Sequence, residues 1–405
     1  MTGSLESMAV WDDLTGQDDA IAIFKAAAIG GSRSGAAGST AVSGGAMTHS
    51  WLITGPPGSG RSNLAFAFAT ALLSPGTPDG DEATRRQVEA RTHPDLAVLS
   101  TERVIISIEE VRSLVASSQF SPSVGRYRVM IIEDADRMSE RTSNVLLKAL
   151  EEPPERTVWI LCAPSDADLI PTIRSRVRTV RLRVPRVADV ARLIERRDGV
   201  DPATAERAAR QAQSHIGMAH RLATNEEARR RRDSTLRLAL DIRSVSDAVQ
   251  AAATMLEIAG ADAKAITEER DAEEREHALR SLGVEPGGTI PTALRSQLRQ
   301  LEEDQKRRAT RSLRDGIDRI LVDLLSLYRD AMMLQLGSAS DLVNVELRDR
   351  LDLLSAHTSP AATLAAMDAI AMARQRIESN VAPALALEAM LMSILRGAAG
   401  KGTNQ

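Results

Sequence analysis

Residues 53–65 read ITGPPGSGRSNLA. Gly55, Pro56, Pro57, Gly58, Ser59, Gly60, Arg61 and Ser62 match the phosphate-loop pattern G-x-x-x-x-G-K-[ST] at every fixed position but one. An apolar run, Trp51–Thr54, precedes the loop, and a helical pattern, Arg61–Leu73, follows it. That strand–loop–helix context is the one the motif requires. Backbone N–H groups and the helix N-terminus would form an anion cradle there, with Ser62 placed for Mg²⁺. Arg61 stands where lysine is expected. Arginine keeps the charge, but its forked head is bulkier than a compact ammonium. The expectation is a loop that retains its shape, holding ATP or ADP with Mg²⁺ weakly or without hydrolysis.

Outward from the loop, short apolar runs recur at Asp95–Leu99, Val129–Ile132, Thr157–Ala163 and Thr179–Val184, each separated by room for a helix. Alternation of that kind implies a parallel sheet covered on both faces. Helix starts are marked as well. Ser107 and Glu110 form a capping box, and Ser139 can cap a helix that stops at Pro153-Pro154. Gly30–Gly45, GGSRSGAAGSTAVSGG, reads as a flexible surface insertion.

After about Pro185 the strand signals end. Val187–Arg196 and Ala203–Gln213 read as short helices, broken by Gly199 and Gly217, and have the size of a helical lid. From Glu226 onward the pattern is helical. Ile317, Ile320, Leu321, Leu324, Leu325 and Tyr328 form an apolar stripe. The charged segment before it reads as half of a helical hairpin with its turn at VEPGGTIP. The arginine run Arg229–Arg232 reads as a solvated helix face.

Two further stretches carry chemistry. In RVMIIEDADRM, from Arg128, an apolar strand ends in Glu133 and Asp134. Phosphate-loop proteins hold Mg²⁺ and orient the attacking water at that place. The usual order is aspartate then glutamate; here it is reversed. An aspartate in the water-activating position is one methylene short, and a misplacement of ~1 Å costs on the order of 10²-fold. In PTIRSRVRTVRLR, residues 171–183, Arg174, Arg176, Arg178, Arg181 and Arg183 alternate with other residues, and a strand would put several on one face. An arginine held at a domain edge can serve a neighbour's γ-phosphate in trans.

Composition sets the outer limits. A chain of 405 residues has room for roughly two to four domains. Aromatic residues are only 2%, which disfavours base stacking as a main activity, and the net charge of −4 leaves no footprint for DNA binding by the whole surface. A single cysteine, Cys162, excludes an internal disulfide and a cysteine zinc site. The start MTGSLESMAVWDD has neither the basic start nor the apolar core of a secretory signal, and no run reaches the ~18–20 apolar residues of a membrane span. A cytoplasmic protein is expected.

Several stretches occur in a telling order: HSWLITGPPGSGRS, THPDLAVLS, ISIEEVRSL, IIEDADRMSERTSNVLLKALEEPP, ILCAPSDADLIPTIRSRV and the late IESNVAPALALEAML. Together they resemble the bacterial DNA polymerase III clamp-loader family of AAA+ proteins. The run Asn144–Pro153 is the most specific of them. The resemblance implies an α/β domain followed by all-α domains. A RecA-like AAA+ domain would span 1–185, with a flexible insertion near 30–48. A helical lid would span 186–225, and a helical collar 226–405, with a charged helical insertion near 262–315.

Within the family the eroded loop, the Ala163-Pro164 pair and the long helical region lean toward the stator branch. That branch has little or no ATPase of its own and donates an arginine to a neighbouring motor subunit. The family carries this arginine in a Ser-Arg-Cys motif; here the residues are Ser175-Arg176-Val177. The resemblance thus makes Arg176 the arginine finger, and Gly55–Ser62 with Glu133 and Asp134 a degenerate nucleotide site. Implied partners are the motor (tau/gamma) and delta subunits, the sliding clamp and primed DNA, in a hetero-oligomer away from membranes. The family's four-cysteine zinc module has no counterpart in Pro75–Thr92, so no zinc is expected. A motor-type ATPase that hydrolyses ATP itself, and a scaffold acting at no ATP site, remain the alternatives.

Overall fold

The computed structural model describes residues 10–11, 14–33, 47–75, 79–101, 105–281 and 295–399. The chain separates into two compact units, 1–224 and 225–405.

In the first unit, α1 (Asp18–Arg33) leads to β1 (Ser50–Thr54), then α2 (Arg61–Leu73), α3 (Glu82–Glu89), β2 (Leu96–Leu99), α4 (Ile108–Ser118) and β3 (Arg128–Ile132). α5 (Glu140–Glu151), β4 (Thr157–Ala163), the short α6 (Pro171–Arg174) and β5 (Arg178–Arg181) follow. The strands form one parallel sheet in the order β2-β3-β4-β1-β5. Register sets Leu52 against Leu161 and Ile132 against Leu161, so β4 lies between the two strands that carry the motifs.

The strands are apolar on both faces because both are covered. Trp51, Ile53, Val129, Ile131, Val158, Ile160 and Cys162 pack on one side with α1 and α2. Leu52, Met130, Ile132, Trp159, Leu161 and Ala163 pack on the other with α4 and α5. The period of two along each strand sorts them. Few aromatics are available, and three of them gather under the first face: Phe24, Trp51 and Phe68 have ring centroids 4.5–5.5 Å apart. Ser107 and Glu110 form the expected capping box on α4, and the Ser139 hydroxyl accepts from the Thr142 N–H to cap α5.

The last strand is shorter than the apolar pattern suggests. β5 ends at Arg181 because β1 ends at Thr54; the Leu182 N–H still bonds the Thr54 carbonyl at 2.7 Å. Beyond that point the Gln17 side chain replaces a strand partner. It donates to the Arg183 carbonyl at 2.8 Å and accepts from the Arg183 N–H at 3.2 Å.

α7 (Val187–Asp198), α8 (Pro202–Gln211) and α9 (Ile216–Thr224) complete the unit. The sequence reading names two helices here and takes Gly217 as a break. The structure has three, with Gly217 in the first turn of α9. Helix strain from glycine is small there, and the His215 Nδ1 accepts from the Met218 N–H at 3.2 Å to start the helix. Of the glycine-rich insertion, residues 30–33 continue α1 and 34–46 lie outside the described residues.

The second unit comprises α10 (Glu226–Asp241), α11 (Val245–Ser281), α12 (Arg295–Gln335), α13 (Arg348–His357), α14 (Pro360–Glu378) and α15 (Pro383–Ala399). Gly316 approaches Ala259, and the Gln305 side chain reaches the Asp271 carbonyl at 2.9 Å, so α11 and α12 run antiparallel as a hairpin. The expected turn, 284–291, lies outside the described residues. Ile317, Ile320, Leu321, Leu324 and Tyr328 are buried in the core of this unit, with Leu325 packed against it.

The run Arg229–Arg232 is not a uniformly solvated face. Arg230 is exposed and pairs with Glu226, but Arg232 is buried. Its guanidinium bonds Asp323 at 2.9 Å and the Asn344 side chain at 2.7 Å. Asn344 in turn donates to the buried Asp330 at 2.9 Å. A 3.6-residue period rotates successive arginines through about 100°, so four in a row cannot share one environment.

Candidate functional site

All five strands run the same way, so the loops after β1 and β3 open on one edge of the sheet. That edge is where open α/β sheets bind ligands. The glycine loop is folded for it. Gly58 (φ 78°) and Gly60 (φ 90°) take the left-handed conformation, which side chains with a Cβ adopt only with strain. Gly60 is the residue before α2 and supplies no side-chain cap, and the first turn of α2 carries no acidic residue. The opening N–H groups of this 13-residue helix are therefore available to an anion.

The side chains modify that cradle. Arg61 Nη1 donates to the carbonyl of Gly55, the first residue of its own loop. Ser59 is buried and its Oγ has no hydrogen-bond partner, while Pro57 is exposed and Ser62 half-buried. The lid closes over the loop: the Ile216 N–H bonds the Gly58 carbonyl at 3.3 Å. A Cβ on Gly58 would lie closer than 3.0 Å to three ring atoms of His215. Gln17 also reaches the loop, donating to the Ser59 carbonyl at 3.4 Å.

Glu133 and Asp134 follow β3 on the same edge. Glu133 is tied to Arg91 at 3.0 Å, and Asp134, itself left-handed at φ 51°, pairs with Arg137 at 3.5 Å. Asp136 completes an acidic group. Its Oδ1 is buried without a hydrogen-bond partner. Burial, above all, raises its pKa, with Asp134 adding to the shift and Arg137 and Arg61 opposing it. Burial also pushes the Cys162 thiol up, and the charges of Glu133, Arg61 and Asp134 all reach it. The sheet thus brings Arg61, Glu133, Asp134 and Asp136 together. Asp136, Arg91, Gln17 and His215 escape the motif reading. The visible signals are the third acid in EDADRM and the Gly16-Gln17 step into an acidic helix start.

Arg176 belongs to a different cluster. It follows α6 in the turn before β5, and its partners are Glu151, the Thr172 carbonyl and the Ser175 hydroxyl. The alternating arginines do not share a strand face. Only Arg178 and Arg181 lie in β5; Arg178 stacks over the Trp51 ring at 5.0 Å, and Arg181 pairs with Asp166 at 3.5 Å. Arg183 pairs with Asp19 at 3.0 Å. Among the described residues no group of His, Cys, Asp and Glu has an arrangement that could hold a metal ion, and no helix is long and apolar enough to cross a membrane.

A parallel sheet in this order, a glycine loop after the strand next to the edge, acidic residues at the end of β3 and a helical lid define an AAA+ domain, here joined to a helical C-terminal region. A family model described as "DNA polymerase III, delta subunit" matches residues 38–186, and one described as "DNA polymerase III, delta subunit, C terminal" matches residues 296–395. The chain belongs to the clamp-loader family of DNA polymerase III.

Among curated proteins it is 35% identical over 134 residues to DNA polymerase III subunit delta' of Pseudomonas aeruginosa, covering 32% of this chain and 41% of that one. It is 31% identical over 134 residues to the tau/gamma subunit of Haemophilus influenzae, covering 32% and 19%. It is 28% identical over 180 residues to the gamma/tau subunit of Mycobacterium tuberculosis, covering 39% and 29%. The matched stretch spans less than half the length of each of these relatives. Among solved structures, a gamma subunit-related protein of Thermotoga maritima aligns over 86% of this chain and 94% of its own, with 15% identity and a TM-score of 0.38.

Proposed function

We propose that this chain is a stator of the delta-prime type in a DNA polymerase III clamp loader, acting on a neighbouring subunit's ATP through Arg176 and hydrolysing none itself. One observation carries the reading: the Arg61 guanidinium is bonded to the Gly55 carbonyl of its own loop. A lysine there would extend a compact charge toward the β- and γ-phosphates. The surrounding residues fit a hydrolysable magnesium nucleotide poorly for the same reason. Glu133 is engaged by Arg91, and Asp134 by Arg137. The loop would serve instead as the seat of the lid.

On this reading Gly55, Pro56, Pro57, Gly58, Ser59, Gly60, Arg61, Ser62, Glu133 and Asp134 are a degenerate nucleotide site, and no resident cofactor, zinc included, is required. The partners would be the tau/gamma motor and delta subunits, with the sliding clamp and primed DNA reached through the complex, in the cytoplasm. The test is DNA- and clamp-stimulated ATP turnover by the reconstituted cognate complex with wild-type chain and with Arg176→Ala, assembly being checked by gel filtration. A finger supplied in trans is worth roughly 10³–10⁵ in kcat, so a loss of at least the lower order is expected with assembly intact. An unchanged rate would refute the stator role of Arg176.

A second reading, a motor-type ATPase, draws on the left-handed Gly58 and Gly60 and the uncapped α2 N-terminus. DNA-stimulated turnover by the purified chain, abolished by Ser62→Ala, would replace the stator reading with it.

A further inference from the structure

Glu151 is the last residue of α5, and Glu152 follows it. Two carboxylates at the C-terminus of a helix oppose its dipole, which is an unfavourable placement. Within the last turn only Lys148 is basic. Helix stability therefore does not account for a carboxylate at 151. Its contact does. Arg176 Nε donates to Glu151 Oε1 at 2.6 Å, and Arg176 Nη2 pairs with the same oxygen. The two residues are 25 apart in sequence, with β4 between them.

The rest of the Arg176 head is held from its own segment. Nη1 donates to the Thr172 carbonyl at 2.8 Å and to the Ser175 hydroxyl at 3.1 Å. The segment is itself anchored, because the Arg176 N–H bonds the carbonyl of Ile173, a fully buried core residue. All three guanidinium nitrogens are thus engaged, yet a third of the side chain stays open to solvent (33%). An unrestrained arginine gives up much rotamer freedom when it is ordered against a target. This one is ordered before any target arrives.

We propose that Glu151 is a positioning residue for Arg176: it fixes the guanidinium in the orientation in which the chain presents it to a neighbouring subunit's phosphate. The inference rests on the stator reading above. Glu151 touches no nucleotide and acts only through Arg176. Thr172 and Ser175 set the depth of the head through Nη1; Glu151 sets its rotation through Nε and Nη2.

The experiment measures kcat and KM for ATP in the reconstituted cognate complex, with DNA and clamp. The chains are wild type, Glu151→Ala, Glu151→Gln, Arg176→Ala and the Glu151→Ala/Arg176→Ala double variant. Misplacement by about 1 Å predicts a fall in kcat on the order of 10²-fold for Glu151→Ala, with KM unchanged. Glu151→Gln keeps an acceptor oxygen and the side-chain shape, and should recover part of the rate. The double variant should be no slower than Arg176→Ala alone. Folding is followed in parallel through the urea midpoint of tryptophan fluorescence. An exposed ion pair contributes little to stability, so that midpoint should hardly move.

If Arg176→Ala slows the complex while both Glu151 variants leave kcat unchanged, the positioning role is refuted and the stator reading survives. A rate increased by Glu151→Ala would also overturn it, making Glu151 a restraint. If Arg176→Ala itself has no effect, the stator reading fails and the inference with it.

Discussion

Replacing Gly58 by alanine tests whether the lid is seated on the glycine loop. The substitution acts in three ways. A Cβ must accept a left-handed φ of 78°, which costs about 1–2 kcal/mol. The same Cβ falls closer than 3.0 Å to three ring atoms of His215, an overpacking that costs about 1–3 kcal/mol. If the lid yields, the Ile216 N–H loses the Gly58 carbonyl, a bond worth about 0.5–1.5 kcal/mol. Together these come to about 3–6 kcal/mol, or a melting shift on the order of 10 °C for a unit of this size.

The readout is convenient. All three tryptophans, Trp11, Trp51 and Trp159, lie buried in the first unit, so tryptophan fluorescence follows that unit alone. The discriminating step is a cycle with His215→Ser, which removes the ring but leaves a side chain able to cap α9. In that background only the backbone strain of Gly58→Ala should remain, giving a coupling of about 1–3 kcal/mol. Hydrogen exchange at residues 216–224 should rise in Gly58→Ala and not in the double variant. An equal cost in both backgrounds, with unchanged protection of α9, would refute the seating of the lid on the loop.

Two other outcomes follow from buried charges. Asp95 is fully buried and accepts from the N–H groups of Ser123, Val124 and Gly125 at 2.6–2.7 Å. Burial pushes its carboxyl up, but these bonds outweigh it and the pKa is lowered. The stability it contributes is therefore fully present above an unfolded-state value of about 3.9 and is lost as pH falls through the lower folded value; Asp95→Asn should flatten that acid limb of the urea midpoint. In the second unit, Arg232→Ala should cost about 3–5 kcal/mol by stranding Asp323, whereas Arg230→Ala should cost under about 1 kcal/mol, both followed by urea denaturation with circular dichroism.

How far the sequence reaches differs from element to element. The glycine loop, the start of α2 at Arg61 and the caps at Ser107 and Ser139 were all legible, because each depends on residues within a few positions of one another. The buried strands were legible because continuous apolar runs have few other uses in a chain with alternating helices. Gly217 looks like a break from its propensity alone, yet α9 runs through it. Its cost is offset by the His215 cap and by the packing of Ile216, Ala219 and Leu222. The apolar pattern overruns the end of β5 because strand length depends on the partner as much as on the strand.

By itself, then, the sequence determined which segments form elements, where the phosphate loop sits and that arginine stands in it. Those are local matters of period, cap and motif. What the charged groups meet follows from the tertiary structure: Glu133 with Arg91, Arg232 with Asp323, and Arg176 with Glu151; the neutral Gln17 side chain reaches the Arg183 backbone in the same way. A long charged side chain has many partners within reach of its sequence neighbourhood and few within reach of its place in the fold. That choice is made by the strand order and by how the helices cross the sheet, and no local pattern records either.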